Sequence, residues 1–571
     1  MTDRLRIALA QLNPKVGALA ANLELGRKAL ADAAAVNADI LLLSELFLTG
    51  YFPEDLLLKP QFIADAMAAA NELAGATRGT GVSLILPSVW QIERNLYNAV
   101  LLAEDGEIVA TRLKRELPND DVFFEKRYFT SGPLAEPLTI KGVSIGVPIC
   151  EDIWHSEVCE HLVDHGARIL LCPNGSPYWR NKQDIRKGLV KARVREDNVP
   201  MLYLNQVGGQ DELVYDGASF AIEPGDRLVL QGRSFESDFI VSDWRHTENG
   251  WRCVDGVVRD LPSVDETPWR ACVLGLRDYV HKNGFQHVVL GLSGGIDSAV
   301  VAAMAVDALG ADNVHCLMLP YRYTSEASLK DAKDCATLLG VRYDVVSIGS
   351  PVDAVNAELG PLFADRLPDI TEENLQSRMR GIVLMAVSNK FGSLLVTTGN
   401  KSEMSVGYAT IYGDMNGGFN PLKDLLKMQV YRLAAWRNAH VPADCLGPAG
   451  EVIPQAIIDK APSAELRPNQ KDQDSLPPYP VLDAILEGLV EEELSVRDVV
   501  AKGFDLATVK RIEKLLYLAE FKRRQAAPGV KMTRKALGLG RKYPITNGYR
   551  DESGTHAPAE PVPALRRQGV E

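Results

Sequence analysis

The 571-residue chain has no run of about 18 uncharged apolar residues, the length a bilayer-spanning helix needs. Its opening, Met-Thr-Asp-Arg-Leu-Arg-Ile-Ala-Leu-Ala, lacks a long apolar stretch, so no signal peptide is expected. Basic residues are in the minority: 62 Lys and Arg against 75 Asp and Glu give a net charge of −13. Such a chain is a poor binder of nucleic acid or anionic membrane, because attraction to phosphate needs a positive field. An anionic substrate must then be held by local devices: helix N-termini, single Lys or Arg side chains, or a metal ion. Cysteine is scarce too. Eight residues are too few for a disulfide scaffold, and most lie in apolar runs, such as Cys172 in Ile-Leu-Leu-Cys-Pro and Cys316 in Val-His-Cys-Leu-Met. They read as small buried hydrophobes in a reducing compartment. What is present, 46% apolar and 24% charged, is ordinary globular composition. The expectation is a soluble cytoplasmic enzyme of two to four domains.

The first 245 residues alternate short apolar runs with longer helical patterns. Strands are predicted at 5–11, 40–43, 82–86, 143–149, 168–171 and 201–204, with a helix over 20–37. Residues 98–103 and 108–113 flank an Asp-Gly pair and read as a hairpin, as do 219–222 and 228–231 around Pro-Gly-Asp. This mixture predicts an α/β domain with a large antiparallel component. Residues 244–267 are polar and broken by Gly and Pro, and read as a linker (246–265 between domains). From 266 to 545 strands at 287–290, 314–319, 343–348 and 393–397 alternate with helices at 296–309, 325–339 and 373–390, the pattern of a parallel sheet. Residues 461–480 carry five prolines and read as a lid or binding loop. Residues 546–571, rich in Pro, Ala and charge, read as a disordered tail.

Three chemically complementary residues each close a predicted strand: Glu45, Lys114 and Cys150. Strand ends on one rim are where α/β folds gather reactive groups. A thiol is a weak nucleophile until a base takes its proton, and a carboxylate can do so. A lysine beside both can hold the carboxylate and steady an oxyanion, with the Glu151 backbone N–H as a second donor. Singly, each residue has a plainer reading as packing or surface charge; together they suit attack on a carboxamide or nitrile carbon.

The segments Leu-Ser-Glu-Leu-Phe-Leu-Thr-Gly-Tyr (43–51), Lys-Arg-Glu-Leu-Pro-Asn (114–119), Phe124-Glu125 and Ile-Cys-Glu-Asp-Ile-Trp (149–154) resemble the nitrilase, or carbon–nitrogen hydrolase, superfamily across residues 4–243. The resemblance implies an αββα sandwich and a Glu–Lys–Cys triad at Glu45, Lys114 and Cys150, with Glu125 orienting Lys114. In the glutamine-using branch it implies Ser176 and Lys182 as contacts of the glutamine backbone groups. Asp120 falls where some relatives carry an aromatic glutamine contact.

A second constellation begins with Val-Val-Leu-Gly-Leu-Ser-Gly-Gly-Ile-Asp-Ser (288–298): strand, Gly-rich loop, helix. Ser293, Gly294 and Gly295 allow backbone N–H groups to close around phosphate at a helix N-terminus. It is no Walker A loop, since no Gly-Lys-Ser/Thr follows. An Asp297 carboxylate in such a loop makes sense if Mg²⁺ bridges it to phosphate. The loop resembles that of the N-type ATP-pyrophosphatases. Glu-Asn-Leu-Gln-Ser-Arg-Met-Arg (373–380), Thr-Thr-Gly-Asn-Lys-Ser-Glu (397–403), Tyr-Gly-Asp (412–414), Asn-Pro-Leu-Lys-Asp-Leu-Leu-Lys (420–427) and Lys-Ala-Pro-Ser-Ala-Glu-Leu (460–466) narrow the likeness to the NAD synthetase family, across about 265–545. This second resemblance implies a doubly wound parallel sheet of the adenine nucleotide α-hydrolase type. It places Gly291, Leu292, Ser293, Gly294, Gly295, Ile296, Asp297, Ser298, Thr398 and Lys427 on ATP. Asn374, Glu403 and Lys522 fall on deamido-NAD, and Asp297 and Glu403 on Mg²⁺. In the lid, relatives often show Gln-x-Asp-Glu where this chain has Gln470-Lys471-Asp472-Gln473.

Together the two halves imply an enzyme that draws ammonia from glutamine and uses ATP to amidate deamido-NAD, passing ammonia through a buried tunnel. The family resemblance also implies a homo-oligomer, a dimer or an octamer. Two other readings stay open at this point: a synthetase fed by free ammonia, with the first domain as scaffold, and a different amidating ligase or a nucleotide sensor. His155, His161 and His165 have no partner Cys or acid pattern in the sequence and read as scattered surface histidines.

Overall fold

The computed structural model describes residues 3–468 and 470–554. They fold as two compact units, the first running to Gln210 and resuming at Val214–Pro262, the second taking Asp211–Leu213 and continuing from Ser263.

In the first unit, period-2 alternation decides which sheet face each residue serves. Along the strand Arg4–Gln11, Leu5, Ile7 and Leu9 point one way and Ala8 and Ala10 the other. The larger side chains join a core between two sheets, with Ile40, Leu42 and Ile85 from one and Ile145, Ile169, Leu171, Leu202 and Leu204 from the other. The alanines lie under the helices Leu19–Ala35 and Pro60–Gly75, where small side chains let a helix approach closely. Helices Ser156–Asp164 and Lys182–Asp197 cover the outer face of the second sheet. The result is an αββα sandwich. Its seven-stranded sheet runs Gly250–Asp255, Asp238–Thr247, Arg4–Gln11, Ile40–Leu42, Ser83–Ile92, Asn95–Glu104, Glu107–Leu113. The six-stranded sheet runs Arg227–Gln231, Phe220–Glu223, Met201–Asn205, Ile169–Asn174, Val143–Gly146, Leu138–Ile140. Both expected hairpins are present; Asp105 and Gly106 have φ of 46° and 91°, as a two-residue turn with both central residues left-handed requires.

The expected linker needs correction. Much of 244–267 is the hairpin Asp238–Thr247 and Gly250–Asp255, which forms the edge of the seven-stranded sheet. Trp244 and Trp251 bury their rings against the inter-sheet core. The overlooked signal was Asn249-Gly250, a hairpin-turn pair with Gly250 at φ 85°. Polar residues on the other face masked it.

The second unit holds a four-stranded, all-parallel sheet in the order Arg342–Val345, Val314–Met318, Val288–Gly291, Leu394–Leu395. Helices Ile296–Leu309 and Ile370–Phe391 both pack on the strand Val288–Gly291. Helix Ile296–Leu309 is buried along nearly its whole length, which explains its lack of a polar face. Chain order places the third strand at one edge and the fourth at the other, so the winding reverses between Val288–Gly291 and Leu394–Leu395. Open α/β sheets bind ligands just beyond the strand ends at such a reversal. No helix among the described residues is long and apolar enough to cross a membrane. Of the tail, residues 546–554 are described: the Asp551 backbone N–H donates to Glu513, and Arg497 donates to the Ser553 carbonyl. Residues 555–571 lie outside the described residues.

Candidate active sites

In the first unit Glu45 lies three residues beyond the strand Ile40–Leu42, Lys114 directly follows Glu107–Leu113, and Cys150 opens the 3₁₀ turn Cys150–Trp154 shortly after Val143–Gly146. Lys114 Nζ donates to Glu45 Oε1 at 2.7 Å and to Glu125 Oε1 and Oε2 at 2.9 and 3.0 Å, and all three side chains are fully buried. Burial alone would strip the charge from Lys114. The Glu125 and Glu45 carboxylates outweigh it and hold the ammonium well above the ordinary lysine range. Burial, with the Glu45 charge, pushes the Glu125 carboxyl up, against the pull of Lys114.

Cys150 is buried, with φ 46° in the left-handed region, which costs a residue bearing Cβ about 1 kcal/mol. Its thiol is pushed well up, first by burial and then by the Glu45 charge, with Lys114 opposing. A thiol pushed up in this way is a weak nucleophile without a base beside it.

Several partners of the triad escaped the sequence reading. Asn98 donates to Glu45 Oε1 (2.8 Å), and the Gly175 backbone N–H donates to Glu45 Oε2 (2.9 Å). A Cβ at Gly175 would stand 2.5 Å from the Tyr51 ring, so only glycine lets that N–H reach the carboxylate. Tyr51 in turn donates its hydroxyl to Glu125 Oε1 (2.8 Å). Asp152 accepts from the backbone N–H groups of Arg115, Glu116 and Ile149, at 3.1, 2.7 and 2.9 Å. One carboxylate thus ties the segment after Lys114 to the Cys150–Trp154 turn. Asp152 and Tyr51 lay inside quoted motifs; Asn98 carried no sequence signal beyond its strand.

The expected glutamine contacts take different positions. The Ser176 backbone N–H donates to Asn205 (2.9 Å), and its hydroxyl accepts from Arg186 Nε (3.1 Å). Arg186 is itself buried and paired with Asp216 at 2.7 Å. Lys182 lies over Trp154 and Trp179 at 4.6 and 5.2 Å, and burial pulls its ammonium down to about 8. The Arg186 charge lowers it further, and the Glu151 carboxylate opposes. Asp120 is exposed, and its charge helps raise Glu151, whose carboxyl burial pushes up to about 7.

In the second unit a cavity of about 300 Å³ opens beyond Gly291, at the winding reversal. Gly291–Ser298, Thr398, Glu403 and Lys427 all line it. The loop is tightened by Ser298 Oγ, which accepts from the Ser293 backbone N–H (3.1 Å). Gly294 has φ 78°, and a Cβ there would meet the Ser328 carbonyl oxygen at 2.4 Å. Lys427 Nζ donates to Asp297 Oδ2 and, at 3.2 Å, to Glu403 Oε1. Asn400 donates to Asp297 Oδ1 at 2.9 Å. Burial, the Asp297 charge and Asp472 drive the Glu403 carboxyl up, against Lys427. Asp472 of the lid lines the cavity and accepts from the hydroxyls of Tyr408 (3.2 Å) and Tyr479 (2.8 Å).

Asn374 and Lys522 are not among the cavity's lining residues. Both reach its wall indirectly: Asn374 accepts from Thr410 Oγ1 (2.9 Å), and Lys522 donates to the Gly407 and Ala409 carbonyls (2.8 and 2.7 Å). Two cations not assigned from the sequence line the cavity instead. Lys460 Nζ donates to Ser328 Oγ (2.6 Å) and Asp331 Oδ2 (3.0 Å), and Arg380 Nε donates to the Leu319 carbonyl (3.0 Å). Both lie in the quoted motifs 460–466 and 373–380.

Comparison with known proteins gives the same division. Residues 6–245 match the carbon–nitrogen hydrolase family and residues 268–526 the NAD synthase family. The glutamine-dependent NAD(+) synthetase of Rhodobacter capsulatus is 55% identical over 97% of this chain and its own full length. That of Xanthomonas campestris pv. campestris is 50% identical, covering 95% and 98% of the two chains. The structure of the Acinetobacter baumannii glutamine-dependent NAD+ synthetase in complex with ADP superposes with a TM-score of 0.76 at 38% identity, over 96% of this chain and 99% of that one. The chain belongs to the glutamine-dependent NAD(+) synthetase family.

Proposed function

We propose that the buried Glu45–Lys114–Cys150 cluster releases ammonia from glutamine and that the cavity at Gly291–Ser298 spends it on an adenylated dinucleotide. The observation that carries this is the single ammonium of Lys114 joining both carboxylates in the cluster that holds the buried Cys150. Cys150 Sγ attacks the side-chain amide carbon while Glu45 takes the thiol proton. Glu125 chelates one N–H of Lys114 and Glu45 takes a second, which leaves the third for the oxyanion, together with the Glu151 backbone N–H. The carbon–nitrogen bond breaks as Glu45 returns its proton to the departing ammonia, and water then hydrolyses the glutamyl thioester. Ser176 and Lys182 hold the backbone groups of glutamine, and Asp120 lies at the outer rim.

At the second site the nicotinate carboxylate of deamido-NAD attacks the α-phosphate of ATP, and pyrophosphate leaves. Neutral ammonia then attacks the acyl adenylate carbon, AMP leaves, and NAD is formed. Backbone N–H groups of the 291–298 loop receive phosphate oxygens, with Thr398 and Lys427 beside them. Asn374, Glu403 and Lys522 serve the dinucleotide, Asn374 and Lys522 by shaping the 407–410 segment. Asp297 and Glu403 would hold Mg²⁺. The fit rests on their chemistry: two hard oxygen donors share one lysine where burial and the Asp297 charge raise Glu403, and a further cation would offset both. Bound there, the ion would neutralise phosphate charge. All eight cysteines are free, in keeping with a cytoplasmic enzyme. A homo-oligomer forms through the synthetase domain, where Ile382 of the helix Ile370–Phe391 is more than half exposed.

Cys150→Ala is expected to abolish glutamine-driven NAD formation and to leave ammonia-driven formation within about twofold; equal loss of both would refute the division of labour. Lys182 is cationic below about pH 8 and neutral above it. The KM for glutamine is therefore expected to rise through that range, and Lys182→Arg to remove the rise, in initial-rate measurements across pH. Light scattering is expected to give a mass above that of one chain, lowered by Ile382→Glu.

A further inference from the structure

The histidines read from the sequence as scattered are not all scattered. His161 and His165 stand one turn apart at the C-terminal end of helix Ser156–Asp164, with ring centroids 4.0 Å apart. The strap before strand Leu138–Ile140 brings Glu136 to them from 25 residues upstream. His161 Nε2 lies 3.7 Å and His165 Nε2 3.8 Å from the same carboxylate oxygen, Glu136 Oε1. These distances are too long for hydrogen bonds. They are near the roughly 3.3 Å that separates two ligand atoms on a tetrahedral ion with bonds of about 2.0–2.1 Å. This is the one such group of three His, Cys, Asp or Glu ligands found among the described residues.

Two further observations point to an ion. His161 Nε2 is buried yet has no hydrogen-bond partner, a state that costs about 1–3 kcal/mol when nothing fills it. His165 Nδ1 lies 2.8 Å from the His161 carbonyl oxygen and donates its proton there. That bond leaves Nε2 as the ring's lone-pair nitrogen, the arrangement in which metal-bound histidines are usually held. The strap is already fixed, because Arg112 donates to the carbonyls of Glu136 and Pro137. The Glu136 side chain itself is exposed.

We propose that His161, His165 and Glu136 form a three-ligand site for a transition-metal ion of the zinc class, with water in the fourth position. Two imidazoles and one carboxylate favour Zn²⁺, Cu²⁺, Ni²⁺ and Co²⁺ over Mg²⁺ and Ca²⁺. The helix that carries both histidines follows directly on the Cys150–Trp154 turn. A bound ion would fasten the 133–137 strap to the segment leading out of the nucleophile turn. The role is structural, separate from both reaction centres and from the Mg²⁺ chemistry of Asp297 and Glu403.

The test uses the full-length protein, freed of metal by chelation and kept in excess Mg²⁺ so that hard carboxylate sites are occupied. Zn²⁺ is titrated against a chromogenic chelator. The wild-type protein is expected to bind one equivalent more than His161→Ala or His165→Ala, or to bind it more than about tenfold tighter. Zn²⁺ is expected to raise the melting temperature of the wild-type protein alone. Both variants should keep wild-type turnover with glutamine and with ammonia, which shows that they fold. Glu136→Gln should weaken binding in the same direction. No Zn²⁺ binding by the wild-type protein, or equal stoichiometry and affinity in the histidine variants, would overturn the site.

Discussion

A lysine ammonium buried between two carboxylates is the interaction on which both proposed reaction centres are built. In the first unit it is Lys114 between Glu45 and Glu125, and in the second Lys427 between Asp297 and Glu403. Taking three charges out of water is costly, and the arrangement holds because each cation meets two anions at hydrogen-bond distance. The excess negative charge has a chemical consequence in each place. Around Lys114 the Glu45 charge adds to burial in pushing the Cys150 thiol up, and Lys114 opposes both. Around Lys427 it leaves a carboxylate pair suited to a cation that arrives with a triphosphate.

The surrounding fold serves these clusters. In the sandwich, Glu45 and Lys114 follow strands of one sheet and Cys150 follows a strand of the other, so the triad is assembled across the inter-sheet core. Asp152 then locks the turn to the Lys114 segment through three backbone N–H groups. In the second unit the strand order itself creates the crevice, and Gly294 lets the loop approach Ser328 closely enough to line it.

Much of this was legible in the sequence because both sites announce themselves through local context. Glu45, Lys114 and Cys150 each close an apolar run, and 288–298 joins a strand to a helix through glycine. Less legible were groups whose partners come from distant segments. Asn98 lies in an ordinary strand, and only strand pairing puts it against Glu45. Asn374 and Lys522 belong to family motifs, yet their side chains are spent on the 407–410 segment. The Asp238–Asp255 hairpin was hidden because charged residues are interleaved with Ile240, Trp244 and Trp251, the residues that reach the inter-sheet core. Glu136 and His161 are joined by the packing of a strap on a helix, which no spacing along the chain expresses.

The central claim is that Cys150 is the reactive thiol of the first unit because Lys114 and its two acids surround it. The most direct measurement is the alkylation rate of each cysteine in the native protein, followed by peptide mass spectrometry, in the wild-type chain and in Lys114→Met. The account requires Cys150 to react much faster than the fully buried Cys159 and Cys172, and to lose at least about tenfold of that rate in the variant. A Cys150 as inert as Cys172, or one indifferent to the loss of Lys114, would contradict it.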